Sequence, residues 1–185
     1  MIPLVLALLL VQRAAAASDF HLYAASDDPA SAASLAALLD GGHDPNDRSP
    51  DGESGLHLAC IWGSAAKVKA LLAAGADPNF RASSNPASLD MTALTWCCYA
   101  GYRDAVAAFL EDPRIDVNLV VRQEDGGRLT ALDIARKIEE RGSETALLLA
   151  LHGAKTFAEL LAEHDGVEAA VPGMPPPPPR RKREL

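Results

Sequence analysis

The side chains with most chemistry to offer in this 185-residue chain are three cysteines and five histidines. Cys60 and the adjacent Cys97 and Cys98 are thiols, and His57 stands three residues before the first of them. Such a set could ligate zinc, close a disulfide or supply a nucleophile. Zinc sites draw their ligands from close pairs such as C-x-x-C, and no such pair occurs. An odd number of cysteines without paired spacing is not a disulfide framework either. His21, His43, His57, His152 and His164 are scattered. There is no G-x-S-x-G, no H-E-x-x-H and no phosphate-cradling glycine loop, and no nucleophile has an evident base. The sequence therefore predicts no catalytic residue, no metal and no cofactor. What remains is recognition chemistry: exposed aromatic residues anchor protein contacts, and Trp62 and Tyr99 are of that type.

The elements that would position these residues are helices. Apolar residues make up 49% of the chain and aromatic ones 5%, with runs of Ala and Leu that lose little entropy in a helix. The helices repeat. Ser54-Gly55-Leu56-His57-Leu58-Ala59-Cys60 aligns with Thr92-Ala93-Leu94-Thr95-Trp96-Cys97-Cys98 and with Thr130-Ala131-Leu132-Asp133-Ile134-Ala135-Arg136. Leu56, Leu94 and Leu132 are evenly spaced along the chain. A second pattern, from Leu38-Leu39 to Asp44-Pro45-Asn46, returns as Leu71-Leu72 to Asp77-Pro78-Asn79. Ser54, Thr92 and Thr130 can each cap the helix that follows. Leu56, Leu58 and Ala59, then Val68, Leu71 and Leu72, fall at helical spacing, and Gly75 suits a left-handed helix end. Asp77-Pro78-Asn79 then turns the chain outward. A unit this small cannot bury a core alone, so the units must stack. Ala59 matches Cys97 and Cys60 matches Cys98, the small-residue positions of two first helices, where buried cysteines act as small hydrophobes. A Cys60–Cys98 bond is disfavoured because stacked helices lie about 8–10 Å apart, beyond disulfide reach. Trp96 matches Leu58 and is expected in the core.

Together these segments resemble the ankyrin-repeat family, whose signature runs T-P-L-H-x-A-A, a leucine pair and G-A-D-V-N. The interval from Asn46 to Asn79 is the period of that family. The likeness covers roughly residues 19 to 155 and is nearly continuous from Leu56 to Asn79. It implies an all-α solenoid of about four helix-pair units joined by β-hairpin-like loops, within a domain over residues 18–165. The units are expected at about 19–46, 52–79, 90–118 and 128–155, with a capping helix at 157–163. It also implies a non-enzymatic protein-interaction scaffold. His57 falls at the family's structural histidine, which orders hairpins by hydrogen bonding. Thr92, Thr130, Gly75, Asn46, Asn79 and Asn118 are further framework residues. Trp62 and Tyr99 fall where the family's concave face lies, with Ile61, Phe80 and Arg81 beside them. These five are the partner-binding candidates, with ordinary inter-repeat packing as the other reading of Trp62. The loops at 80–89 and 119–128 are longer than standard, either as binding-face insertions or as neutral length drift.

The two ends carry address-like signals. Ile2 to Val11 is an apolar run of signal-peptide length, too short to cross a bilayer, and Ala14 to Ala17 suit cleavage. Residues 1–17 are expected to be a signal peptide, although no Lys or Arg precedes the apolar run. A first helix buried in the fold, or a misassigned start, is the other explanation. Residues 166–185 are expected to form a disordered Pro-rich basic tail. Pro175 to Pro179 reads as polyproline II, a stiff spacer or an SH3-type ligand. Lys182-Arg183-Glu184-Leu185 resembles the K-D-E-L retention signal with Arg183 in place of its acidic residue. The expected location is the secretory pathway, in the ER lumen or secreted, and the cytoplasm or nucleus if the N-terminal run is not a signal. No later segment reaches the roughly 20 apolar residues of a membrane span. The formal charge is −8, and the chain without Arg180 to Glu184 carries 13 basic and 24 acidic residues. An acidic body excludes general nucleic-acid binding. It predicts a monomer whose partner is a protein with a basic patch, steered by charge. The competing expectation is a rigid tethering element whose tail does the binding.

Overall fold

A computed structural model of the chain describes residues 19–82, 90–122, 126–138, 142–164, 166 and 171. The signal-peptide segment, parts of both long loops and the tail from 172 onward lie outside the described residues. Nine helices and two short hairpins follow in order among the described residues: α1 (Asp19–Ala24), α2 (Pro29–Asp40), α3 (Gly55–Ile61), α4 (Ala65–Ala73), β1 (Arg81–Ala82), β2 (Met91–Thr92), α5 (Ala93–Ala100), α6 (Arg103–Leu110), β3 (Val121–Arg122), β4 (Arg128–Leu129), α7 (Ala131–Lys137), α8 (Gly142–Leu151) and α9 (Phe157–Glu163). The chain is an all-α solenoid. First helices α1, α3, α5 and α7 stack in one row, and second helices α2, α4, α6 and α8 in another. The hairpins pair antiparallel, Arg81 with Thr92 and Ala82 with Met91, then Val121 with Leu129 and Arg122 with Arg128. Before the second unit the hairpin shrinks to one bridge between Arg48 and Ser54.

Local sequence sets the helix ends. Asp28 accepts from the Ala30 N–H at 3.0 Å and Pro29 opens α2, where a missing N–H costs nothing. Thr92 caps α5 with Thr95, Thr130 caps α7 with Asp133, and Thr156 caps α9 with Glu159, each in a reciprocal box. Ser54 differs. Its hydroxyl makes no cap bond and goes instead to His57 Nδ1 at 2.8 Å. Gly75, at φ +96°, ends α4 in the left-handed region that glycine enters without strain.

Each of the eight stacked helices contributes one large side chain to a continuous core. Phe20, Leu35, Leu56, Leu71, Leu94, Phe109, Leu132 and Leu149 are all at most 2% exposed. Each such burial is worth about 1.5–3 kcal/mol. The first unit docks through a close approach: a Cβ on Gly55 would stand 2.9 Å from the Phe20 ring. The equivalent positions in the next two units, Ala93 and Ala131, carry the methyl group that Gly55 lacks and are buried with it.

Two expectations are corrected here. Cys60 and Cys97 form a disulfide between α3 and α5 with Cα atoms 5.0 Å apart, and Cys98 is the free, buried thiol. The usual helix spacing of about 8–10 Å is a distance between axes. Ala59, Cys60, Cys97 and Cys98 are small enough to bring the facing backbones much closer. The bond also skips the register-equivalent pair. Equivalent residues of a stacked repeat point the same way along the stack, so a bridge needs one forward-facing and one backward-facing side chain. The other correction is Val171, which falls inside the loose tail expected at 166–185. It is 3% exposed and packs in a satellite cluster with Val120 and Leu160.

Candidate functional site

The framework of the stack is a ladder of asparagines. Asn46 Oδ1 accepts from the Asp77 N–H at 2.7 Å, Asn79 Oδ1 from Asp116 at 2.8 Å, and Asn118 Oδ1 from Lys155 at 2.7 Å. The same amides donate to the Gly75, Arg114 and Gly153 carbonyls at 3.4, 2.8 and 3.3 Å. Each turn is thereby fastened to the next. His57 performs the matching task at the hairpins. Its Nε2 lies 3.1 Å from the Met91 carbonyl, which can only accept, so Nε2 carries the proton and Nδ1 accepts from Ser54. Burial without a charged partner pushes the imidazole down from 6.5 to about 4, so it is neutral at physiological pH. Thr130 Oγ1 donates to the Lys155 carbonyl at 2.7 Å, and Asp133 accepts from the Phe157 N–H at 2.8 Å, tying α7 to the capping helix.

An apolar groove of ≈ 260 Å³ opens between the hairpins and first helices of the third and fourth units. Met91, Val121 and Leu129 of the hairpins and Ile134 and Ile138 of the fourth unit form its walls, and Tyr99, Arg122 and Lys137 its remaining lining. Tyr99 is 56% exposed, an unusual state for a large aromatic side chain on a chain so poor in them. Arg122 is held by an ion pair with Asp90, their side chains 18% and 16% exposed. Asp90 itself sits at φ +56°, in the left-handed region, immediately before β2. Arg81 is used within the hairpin row, donating to the Val120 carbonyl at 2.7 Å and the Asp90 carbonyl at 3.3 Å. Burial draws its guanidinium below its usual range, with Asp90 and Asp116 opposing.

The five partner-binding candidates are thus dispersed. Tyr99 alone lines the groove. Ile61 is 7% exposed in the main core, next to the seam that the Cys60–Cys97 bond closes, and is no surface residue. Trp62 is half-buried at the end of α3 and lines a separate cavity of ≈ 370 Å³ with Pro29, Ser64 and Lys67. Lys67 is 2% exposed and its ammonium donates to the Tyr23 carbonyl at 2.6 Å and to that of Ser26, closing the end of α1. Phe80 stands edge-on to the His57 ring at 5.9 Å, with the Arg48 guanidinium 4.3 Å from its centroid. Trp96 is half-buried against the core. Sequence reading missed Lys137, Arg122 and the hairpin walls. One signal was there: Ile61, Tyr99 and Lys137 are evenly spaced and occupy the same place in successive first helices.

Among the described residues the charged lining of the groove is Arg122, paired with Asp90, and Lys137. Among the described residues no group of three His, Cys, Asp or Glu side chains is placed to hold a metal, and no helix is long and apolar enough to cross a membrane. No curated protein matches the chain significantly. A family model for ankyrin repeats, in three copies, matches residues 20–121. That span takes in the first three helix pairs and the start of the hairpin before the fourth, more than half of the sequence, and the chain belongs to the ankyrin-repeat family.

Proposed function

We propose that this protein is a non-enzymatic interaction module of the secretory pathway that holds a segment of a partner protein in the groove beneath Tyr99. Ankyrin repeats are in general protein-protein interaction modules, and one observation carries the assignment to this groove. Tyr99, more than half exposed, lines an apolar concavity built from two hairpins and two first helices. An exposed aromatic ring over a desolvated pocket is the usual setting of a binding hot spot.

The location is supported by two independent features. The apolar run at 2–11 reads as a signal, and a buried structural disulfide such as Cys60–Cys97 persists in an oxidising compartment. The test compares partner capture by the intact chain, by Tyr99→Ala and by a chain ending at Val171. Loss of capture with Tyr99→Ala and its retention by the truncated chain is the expected result. The opposite pattern would return the binding to the tail and overturn the groove assignment.

A further inference from the structure

The last described residue of the chain is seated beside the groove. Val171 is buried against Val120 and Leu160, with Phe157 and Leu161 of α9 around them. Val120 immediately precedes β3, and Val121, the first residue of β3, lines the groove. The next segment, Pro172-Gly173-Met174 and then Pro175 to Pro179, therefore starts from the neighbour of a groove residue. An extended chain spans at most about 3.6 Å per residue, so Met174 stays within about 11 Å of Val171. Chemistry agrees with reach. The groove volume of ≈ 260 Å³ lies just below the roughly 300–1,000 Å³ of small-molecule pockets, which suits one large inserted side chain. Met is unbranched and polarizable, the side chain best able to fill an irregular apolar gap. Consecutive prolines adopt polyproline II, which has no internal hydrogen bonds and docks on aromatic surfaces. Tyr99 offers such a surface, more than half exposed.

We propose that the chain's own segment 172–179 occupies the groove, with Met174 inserted between Met91, Leu129 and Ile138 and the prolines laid on Tyr99. The segment is an autoinhibitory strap that a partner must displace, an inference that rests on the groove being the binding surface. Tethering lets a weak contact suffice. A short linker holds its segment at a local concentration in the millimolar range. Burial of Val171 leaves only Pro172 and Gly173 between that anchor and Met174, which keeps the concentration high. A segment that binds at about 1 mM as a free peptide then fills the groove half the time or more. The partner's apparent affinity falls in proportion to the fraction of grooves left open.

The test puts a photo-crosslinking phenylalanine analogue in place of Tyr99 in the purified intact chain and maps the product by peptide mass spectrometry. The expected product is an intramolecular crosslink to residues 172–179, in a yield independent of protein concentration. Met174→Asp should cut that yield at least about fivefold, since a carboxylate cannot replace a buried thioether. Partner capture should rise about two- to tenfold with Met174→Asp at limiting partner, and Tyr99→Ala should abolish it in both backgrounds. No crosslink to 172–179, or one that Met174→Asp leaves unchanged, overturns the strap. A crosslink between two copies that grows with concentration also overturns it, and makes a second chain's tail the occupant. If the strap fails while capture still needs Tyr99, the groove stands as the partner's surface. Capture indifferent to Tyr99→Ala overturns the groove reading and the inhibitory role with it. Circular dichroism and thermal melting of each variant exclude misfolding as the cause.

Discussion

His57 is the residue on which structure and titration meet most directly. It is 2% exposed and hydrogen-bonded on both ring nitrogens in the neutral state, with Ser54 donating to one and Met91 accepting from the other. Its pKa is depressed on folding, so the folded chain resists protonation where the unfolded chain does not. Stability is then fully present above pH 6.5 and falls as the pH drops toward about 4. Lowering the pH from about 7 to about 4.5 should cost about 2–3 kcal/mol through this residue. Urea unfolding of the native chain and of His57→Gln at both values checks it, because the carboxylates contribute equally to the two. Equal pH dependence in both proteins would contradict the assignment. The asparagine ladder gives a graded prediction. Asn79 makes bonds of 2.8 Å with both its amide groups, whereas the donor bond of Asn46 is 3.4 Å. Asn79→Ala should cost about 1–2 kcal/mol, and Asn46→Ala less, as read from thermal melting.

At the scale of elements, the helix starts were legible and their differences were not. Ser54, Thr92 and Thr130 mark three first helices in the sequence, and the structure begins a helix after each. What each hydroxyl does depends on the residue three places later, which is His57, Thr95 or Asp133. Thr95 and Asp133 complete a cap, while His57 takes the hydroxyl for itself and turns its other nitrogen to the next hairpin. The disulfide was illegible for a different reason. Aligning repeats brings Cys60 over Cys98, but contact between stacked helices joins faces that alignment does not pair. Cys60–Cys97 closes a chain loop with a sequence separation of 37 residues, for which the loop-entropy account gives about 4 kcal/mol of stabilisation. Mild reductant, or Cys97→Ala, should therefore lower the unfolding free energy by about 2–4 kcal/mol. Cys98→Ala, which removes a buried thiol whose ionisation burial suppresses, should cost much less. Identical stabilities with and without reductant, in a sample whose non-reduced peptide map shows the bond, would contradict that role.

For the whole molecule, the repeat period dictates the solenoid because stacking is the way such small units bury Phe20, Leu56, Leu94 and Leu132 together. The binding surface was harder to read, because it is assembled across units. Tyr99 comes from α5, Val121 and Leu129 from the following hairpin, and Ile138 from just beyond α7. A second apolar surface competes with the groove: Leu147 and Leu151, 62% and 75% exposed, lie one turn apart on α8. The most direct measurement puts a photo-crosslinking phenylalanine analogue in place of Tyr99 in one protein and of Leu147 in another, both expressed in secretory cells. The groove account predicts a partner adduct at position 99 and none at position 147. An adduct at 147 without one at 99 would contradict it.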